Sequence, residues 1–367
     1  MNSIINNLDF SGSFPYRYIF NPAVAKTAQN RYVMVCRMQN HSREGTLGLA
    51  YLDDNFQLEG QAEILSSAPT GNTNVMLEDP RIAMLNGQPY VAYVESSPVH
   101  LFTTYVVLAQ LRGLELVKPI IIPYKRNHDA FVRLRKYDLH IADNTNEHPI
   151  PEIEGNGNTG VNMLPSREWI IEKNWQFFSM NDAAYCIYEA NNKHVVFEFD
   201  PNNGTVKKEY ITYYSSSWKT GNISGGASPV KHIDGNWYSF FHSWTDDNQK
   251  KRTYHTGVYL FEDKPPFRIK QISCKPLLSA SDPHGSSPSG HAVIFPGSAV
   301  FDIVTNEWLI AAGYNDEKCV LLRISHSDVQ ASLVQVNTVN KFSRLAQQQF
   351  RRFATAIKKR LSAFSIP

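Results

Sequence analysis

The sequence predicts an all-β fold, a five-bladed β-propeller with a C-terminal amphipathic helix. Five pairs of strand-like runs, rich in β-branched and aromatic residues, follow one another between polar turns rich in Gly, Asn and Asp. The pairs recur at a spacing of roughly 50 to 70 residues, which is typical of four-stranded blades. A short segment containing Pro, Gly or Trp precedes each pair. Together these three observations indicate one sheet unit repeated five times.

The paired runs are residues 32–37 with 47–51, 90–94 with 105–109, 184–188 with 195–199, 237–242 with 257–261, and 308–312 with 319–323. Residues from about 112 to 165 separate the second and third pairs. They are polar and irregular, so they predict a long inserted loop rather than a separate domain. We therefore expect a propeller catalytic domain over residues 1–327.

The remaining residues, 328–367, predict a basic amphipathic helical tail, because their apolar residues recur at helical spacing. Seven basic residues and no acidic residue lie between Lys341 and the end of the chain, although the whole chain carries a net charge of only +2. The body is thus mildly acidic, which argues against binding to nucleic acid. Residues 341–364 predict contact with an anionic membrane surface; docking on the propeller or on a second copy is the alternative.

The chain has no sequence typical of a signal peptide and no apolar run long enough to cross a bilayer. We therefore expect a cytoplasmic protein, with the tail as a peripheral membrane contact. Its four cysteines lack the close spacing of a zinc site, so buried thiols are expected.

The motif Glu78-Asp79-Pro80-Arg81 precedes the second pair of runs and carries the chemistry we consider first. Asp79 is a candidate acid/base. Pro80 fixes the local backbone, and Arg81 offers a rigid fork of donors for a hydroxyl or carboxylate. A buried structural pair between Asp79 and Arg81 is the alternative.

Five blocks, taken in order, resemble glycoside hydrolase family 130 and its β-mannosyltransferase relatives. The blocks are Asn21-Pro22, Arg37, Glu78-Asp79-Pro80-Arg81, the stretch from Gly225-Gly226 to His242, and Gly313-Tyr314-Asn315-Asp316. The resemblance covers most of residues 15 to 325. It implies a five-bladed propeller that acts on β-mannosides, with Asp79 as the catalytic acid at the glycosidic oxygen. Part of that action would pass through a hydroxyl of the bound mannose.

The resemblance also assigns substrate-binding roles. Asn21, Arg37 and Asp316 would hold sugar hydroxyls, and Lys173 and His242 would face the phosphate or leaving group. The expected partner is a mannose-containing glycan or a sugar-phosphate or sugar-nucleotide donor. No metal and no organic cofactor is implied.

The chain departs from the family where phosphorylases cluster basic residues around phosphate. Glu189 stands where an arginine is expected, and Asn222 where a lysine is expected. These departures favour mannosyl transfer over phosphorolysis. Hydrolysis would require a second carboxylate, for which Glu189 and Asp282 are candidates. A catalytically inactive propeller that binds glycan or protein is a further alternative.

Structural explanations also exist for the single residues. His242 could be a satisfied core histidine. Lys173 could form a cation–π contact with Trp175, and Asp316 could form the local hydrogen bonds of a hairpin turn. The loop histidines, His128, His140 and His148, lack metal-site spacing and are expected at the surface.

Overall fold

The computed structural model describes residues 4–8, 10, 14–27, 31–40, 45–65, 68–71, 75–96, 104–122, 124, 172–247, 251–281, 287 and 289–338. Within these residues the chain is built from β-strands and one short helix, so the predicted all-β class is confirmed. No helix in this part of the chain is long and apolar enough to span a membrane.

The strands form five sheets, and sequential strands within a sheet pair in an antiparallel manner. The N-terminal strand is β1 (Ile4–Leu8). The first sheet contains β2 (Tyr18–Lys26), β3 (Tyr32–Gln39), β4 (Gly45–Leu52) and β5 (Leu58–Ile64). The second contains β6 (Met76–Leu85), β7 (Gln88–Ser96), β8 (Thr104–Arg112) and β9 (Glu115–Ile121).

The third and fourth sheets follow residue 171. The third contains β10 (Gln176–Met180), β11 (Ala183–Glu189), β12 (Lys193–Phe199) and β13 (Val206–Ser215). The fourth contains β14 (Ser224–Gly225), β15 (Val230–Lys231), β16 (Trp237–Asp246), β17 (Arg252–Phe261), β18 (Ile269–Ser273) and β19 (Leu278–Ser279).

The fifth sheet takes strands from both ends of the described chain. It contains β20 (Ile294–Asp302), β21 (Glu307–Tyr314) and β22 (Lys318–Ser325), and β1 pairs with β22. Helix α1 (His326–Ser332) follows, and then β23 (Leu333–Gln335) and β24 (Asn337–Thr338). β23 adds to the fourth sheet and β24 to the third.

Apolar cores lie between consecutive sheets, because most strands bury both of their faces. In β3, for example, Val33 and Val35 pack toward the second sheet, whereas Met34 and Cys36 pack toward the fifth. Five such clusters join neighbouring sheets, and one of them joins the fifth sheet to the first. Burying a large apolar side chain stabilises a fold by about 1.5–3 kcal/mol. The arrangement of the sheets is propeller-like, as predicted.

Two predicted boundaries differ from the structure. The inserted loop was expected from about residue 112, but β9 (Glu115–Ile121) continues the second sheet; residues 125–171 lie outside the described residues. The tail was expected from residue 328, yet α1 begins at His326, and β23 and β24 rejoin the sheets. The side chain of Ser325 caps α1 by accepting a hydrogen bond from the backbone N–H of Asp328. The predicted amphipathic helix over 341–364 lies outside the described residues.

Candidate functional site

A β-bulge re-aims the side chains of the Glu78-Asp79-Pro80-Arg81 motif. Glu78 pairs with Val94 and Arg81 with Ala92, so β6 contains one more residue than β7 over this stretch. Asp79 takes up the extra length with a φ of 50°. Consecutive strand residues normally point to opposite faces, but a bulge changes that alternation. As a result, the carboxylates of Glu78 and Asp79 both lie beside Arg37.

The first sheet repeats this device at Asn21-Pro22. β2 has a register shift between Phe20 and Ala23, and Asn21 has a φ of 48°. Asparagine and aspartate tolerate this left-handed conformation better than most residues. The two bulges bring Asn21 and Asp79 together, and Asn21 Nδ2 donates a hydrogen bond of 2.9 Å to Asp79 Oδ1.

Asp79 is held as a carboxylate by positive charges. Its Oδ1 also accepts a hydrogen bond of 3.2 Å from Arg37 Nη1, and 13% of its side chain is exposed. Burial alone would raise the pKa of Asp79, but the charges of Arg37, Lys173 and Arg81 together lower that pKa to about 2. Asp79 is therefore ionised at neutral pH and set to accept a proton.

Glu78 organises the cations around Asp79, a role that the sequence analysis did not assign. Its Oε2 lies 3.0 Å from Lys173 Nζ and 3.5 Å from Arg37 Nη1, while its Oε1 accepts a hydrogen bond of 2.8 Å from Ser96 Oγ. A buried charge requires such partners. The only signal in the sequence was an acidic residue next to Asp79, and the alternation of strand residues would have placed it on the opposite face.

Lys173 is the cation best placed to meet a ligand. Its side chain is 31% exposed, compared with 16% for Arg37. Burial lowers the pKa of Lys173, but Asp79 and Glu78 raise it by more, so the ammonium group stays charged. Its contact in the described residues is the ion pair with Glu78, which replaces the cation–π contact with Trp175 considered above.

Arg81 lies in the wall of the site rather than at its surface. Only 2% of the residue is exposed. Its guanidinium donates to the backbone oxygens of Asp79, Gly225 and Gly226 and to Asn174 Oδ1, at 2.7 to 3.2 Å. These bonds tie the second sheet to the segment that precedes the third sheet and to β14 of the fourth. Because its donors are engaged by protein acceptors, Arg81 fits a positioning role better than the substrate-binding role expected from sequence.

His242 also lies at the site but carries no positive charge at neutral pH. It is 3% exposed, and burial together with the charge of Arg81 lowers its pKa to about 3. Its Nδ1 has no hydrogen-bond partner among the described residues, so it is not a satisfied core histidine. A neutral imidazole would meet a phosphate or leaving group through its ring N–H rather than through a positive charge.

Asp316 is a second carboxyl group close to Arg37 and Asp79. Burial raises the pKa of Asp316, and the charge of Asp79 raises it further, whereas Ser289 and Arg37 act in the opposite direction. The neighbouring Asn315 makes the hydrogen bonds that fix the turn, to Ser281 and Val293. The carboxyl of Asp316 makes its own hydrogen bond with Ser289 and also lies within range of Arg37. Asp79 and Asp316 have pKa values shifted in opposite directions, as in sites where two carboxyls divide acid and base roles.

The structure does not place Glu189 or Asp282, the two candidates for a second catalytic carboxylate, beside Asp79. Glu189 Oε2 forms an ion pair of 2.7 Å with Lys193 Nζ, on the same hairpin of the third sheet. Asp282 lies outside the described residues.

One group of side chains in the described part of the chain has the composition of a metal site. Ligand atoms of His232, Asp234 and His326 lie within 4.8 Å of one another. However, the two imidazoles stack at 4.3 Å with an angle of 15° between their planes, and Trp308 Nε1 donates to His326 Nδ1. Because imidazole lone pairs lie in the ring plane, stacked rings cannot both direct them at one ion. The group fits ring packing better than metal binding.

Comparisons with known proteins find similarity at the level of structure. No family model matches the chain, and no curated protein matches it by sequence. A β-1,2-mannobiose phosphorylase from Listeria innocua is similar over 90% of this chain and 99% of its own, with 12% identity and a TM-score of 0.53. A GDP-Man-dependent mannosyltransferase from Leishmania mexicana is similar over 93% and 94%, with 12% identity and a TM-score of 0.51. A levansucrase from B. megaterium covers 92% and 89%, with 11% identity and a TM-score of 0.51.

The five sequence blocks predicted a resemblance to glycoside hydrolase family 130 and its mannosyltransferase relatives, and the similarity of the folds confirms it. At these identities the similarity concerns the fold, and different chemistries occur on one fold.

Proposed function

We propose that this protein is a carbohydrate-active enzyme that transfers a mannosyl group to form a β-mannoside-type bond, with Asp79 as the acid/base. The observation that carries the proposal is the convergence of the predicted residues. Asn21 and Arg37 of the first sheet contact Asp79 of the second, and Lys173 precedes the third. Asp79 also influences the pKa values of His242 in the fourth sheet and Asp316 in the fifth.

We further infer that the five sheets act as the five blades of the propeller. The clusters that join consecutive sheets, including the one between the fifth and the first, support this count. The first strands of successive sheets also contact each other, as β2 does with β6 and β20, and β6 with β10. In a propeller such strands line a central channel, where ligands bind.

The ionised state of Asp79 favours transfer from an activated donor. A carboxylate can take a proton from an acceptor hydroxyl while that oxygen attacks the anomeric carbon of the donor. The bond from that carbon to the donor phosphate breaks at the same time, and the phosphate leaves with the electron pair. Lys173 would offset the charge on the leaving phosphate. Cleavage of an ordinary glycosidic bond would instead require a proton donor at the leaving oxygen.

Product analysis would test this proposal. Purified protein would be incubated with GDP-mannose and a β-linked manno-oligosaccharide acceptor, and chain extension followed by mass spectrometry. Extension that requires the activated donor is the expected result, and Asp79→Asn should lose it. Phosphate-dependent release of mannose 1-phosphate from the oligosaccharide would show phosphorolysis instead. Binding without turnover of any donor would indicate a non-catalytic propeller.

Hydrolysis is the second candidate, and Asp316 is the observation that favours it. The raised pKa of Asp316 makes it the better proton donor of the two aspartates. In that reaction Asp316 would protonate the leaving oxygen, and Asp79 would activate water or attack the sugar. Release of free mannose without phosphate, lost in both Asp79→Asn and Asp316→Asn, would establish it.

A further inference from the structure

Two half-buried aromatic rings stand at one side of the site, in a part of the fourth sheet that the sequence analysis did not single out. Trp244 of β16 and Tyr254 of β17 are directly paired across the two strands. Their ring centroids are 5.9 Å apart, with 30° between the planes. The ring of His242 stacks against Tyr254 at 5.8 Å and 18°. The three rings form a continuous aromatic wall beside the site.

The wall is continuous with the proposed catalytic centre. Burial raises the pKa of Tyr254, whereas its hydrogen bond with Arg252 and the charge of Arg252 lower it, and Asp316 and Asp79 raise it again, so Tyr254 lies within electrostatic range of both carboxyls. The backbone of Tyr254 is fixed on both sides: its N–H donates to the oxygen of Ala292, and its oxygen accepts from the N–H of Ala280, each at 2.8 Å. A rigid ring beside the reacting groups is a suitable platform for a ligand.

Polar groups border the aromatic wall at its outer end. The guanidinium of Arg252 lies over the ring of Trp244, 5.2 Å from its centroid. Arg252 Nε is 3.7 Å from Asp246 Oδ1, and the two side chains are 45% and 55% exposed. Because this ion pair is long and solvated, it contributes little to stability. Its donors and acceptors remain accessible to hydroxyl groups.

We propose that Trp244 and Tyr254 form a second sugar-binding subsite, which holds the pyranose ring of the acceptor next to the transferred mannosyl unit. This inference rests on the proposed function. A pyranose has a face of C–H groups and a rim of hydroxyls. Its apolar face would pack on the aromatic rings, whose faces carry negative potential, and its hydroxyls would meet Arg252 and Asp246. Occupation of this subsite would distinguish oligosaccharides from free mannose.

The test compares the affinities of two sugars in one variant. Isothermal titration calorimetry would measure binding of mannose and of a β-linked mannotriose to the wild type, Trp244→Ala and Trp244→Phe. We expect Trp244→Ala to weaken mannotriose binding about tenfold, the size of one lost aromatic contact, with mannose binding within about twofold of the wild type. Trp244→Phe keeps a ring and should restore most of the affinity.

Tyr51→Ala is a matched control, because Arg31 lies over Tyr51, 4.0 Å from the ring centroid, in the outer strands of the first sheet. It should leave both affinities unchanged. An equal loss for mannose and mannotriose in Trp244→Ala, or no loss for either, would overturn the subsite. Such a result would not affect the transfer assay, whereas a wild type that binds mannotriose without turnover would contradict the proposed function and leave the subsite standing. Thermal melting of each variant would show that it is folded.

Discussion

At the scale of single residues, the site places two aspartates in contrasting environments. Asp79 is surrounded by cations and stays ionised, while burial raises the pKa of Asp316. Under mannosyl transfer, Asp79 accepts the proton and Asp316 holds a sugar hydroxyl. A protonated Asp316 would donate that hydrogen bond, and an ionised one would only accept.

The two roles predict different pH profiles for two isosteric variants. Asp79→Asn should lower kcat/KM about 10²- to 10⁴-fold at every pH, because the base is gone. Asp316→Asn should retain activity within about tenfold. In the wild type, ionisation of Asp316 should lower kcat/KM at high pH, and this decline should be absent in the variant, because an amide donates a hydrogen bond at any pH. The measurement is kcat/KM across pH for the three proteins. A loss in Asp316→Asn as large as that in Asp79→Asn would make Asp316 the general acid and favour hydrolysis.

At the scale of the strand elements, neighbouring sheets approach each other closely at two positions that only glycine allows. A Cβ on Gly313 of β21 would fall 1.8 Å from Asn21 Oδ1, and one on Gly225 would fall 2.0 Å from the backbone oxygen of Asn174. The first contact seats the Asn21 side chain against the fifth sheet. The second brings the fourth sheet close to the third, where the oxygens of Gly225 and Gly226 accept from Arg81.

Gly313→Ala should therefore impair the site from outside it. The added methyl group would displace Asn21 and break its hydrogen bond to Asp79, and overpacking of this kind costs about 1–3 kcal/mol. We expect a loss of about tenfold or more in kcat/KM and a lower melting temperature, measured by steady-state kinetics and calorimetry.

A double-mutant cycle supplies the control for this prediction. Asn21→Gly removes the side-chain oxygen that the methyl group would meet at 1.8 Å, leaves the backbone nitrogen of residue 21 at 2.9 Å, and tolerates the φ of 48°. In that background Gly313→Ala should cost much less than in the wild type, because the two residues are in contact. Additive losses would contradict the proposed route through Asn21.

At the scale of the whole molecule, stability depends on packing between sheets and on strands contributed from distant parts of the chain. β1 completes the fifth sheet, and β23 and β24 extend the fourth and third. Buried histidines add a dependence on pH. Burial lowers the pKa of His194 to about 4 and that of His242 to about 3, so both are neutral in the folded protein.

The free energy of unfolding should therefore fall as the pH drops below about 6.5, the ordinary histidine pKa. Between that pH and the pKa values of the folded state, His194 and His242 bind protons in the unfolded chain but stay neutral in the folded protein. Each histidine contributes at most about 1.4 kcal/mol per pH unit. The carboxylate of Asp79, with a folded pKa of about 2, would add to the loss only below about pH 4.

Chemical denaturation between pH 7 and pH 4.5 would measure this slope. His194→Asn cannot titrate and keeps a donor for the backbone oxygen of Phe267, which lies 2.7 Å from His194 Nδ1. We expect the variant to reduce the slope by about 1 kcal/mol per pH unit. An unchanged slope would show that His194 is not protonated on unfolding in this range.

Sequence patterns were sufficient to predict the repeated sheets and the residues that meet at the candidate site. The hairpins could be predicted because β-branched and aromatic runs between turn residues are local signals. Asn21, Arg37, Asp79, Lys173, His242 and Asp316 were found through their motifs, and they meet at one site. The residues missed, Glu78, Trp244 and Tyr254, carry no local signal, because a bulge or a cross-strand pairing gives them their positions.

What the sequence alone determined is the class of fold and the set of candidate residues for the site, since both depend on residue type and spacing along the chain. Only the tertiary structure decided the protonation state of each group, the enclosure of Arg81 and the grouping of the two aspartates. These properties depend on burial and on distances between charges from different sheets. Such distances join residues far apart in the chain, and no pattern within one segment can encode them.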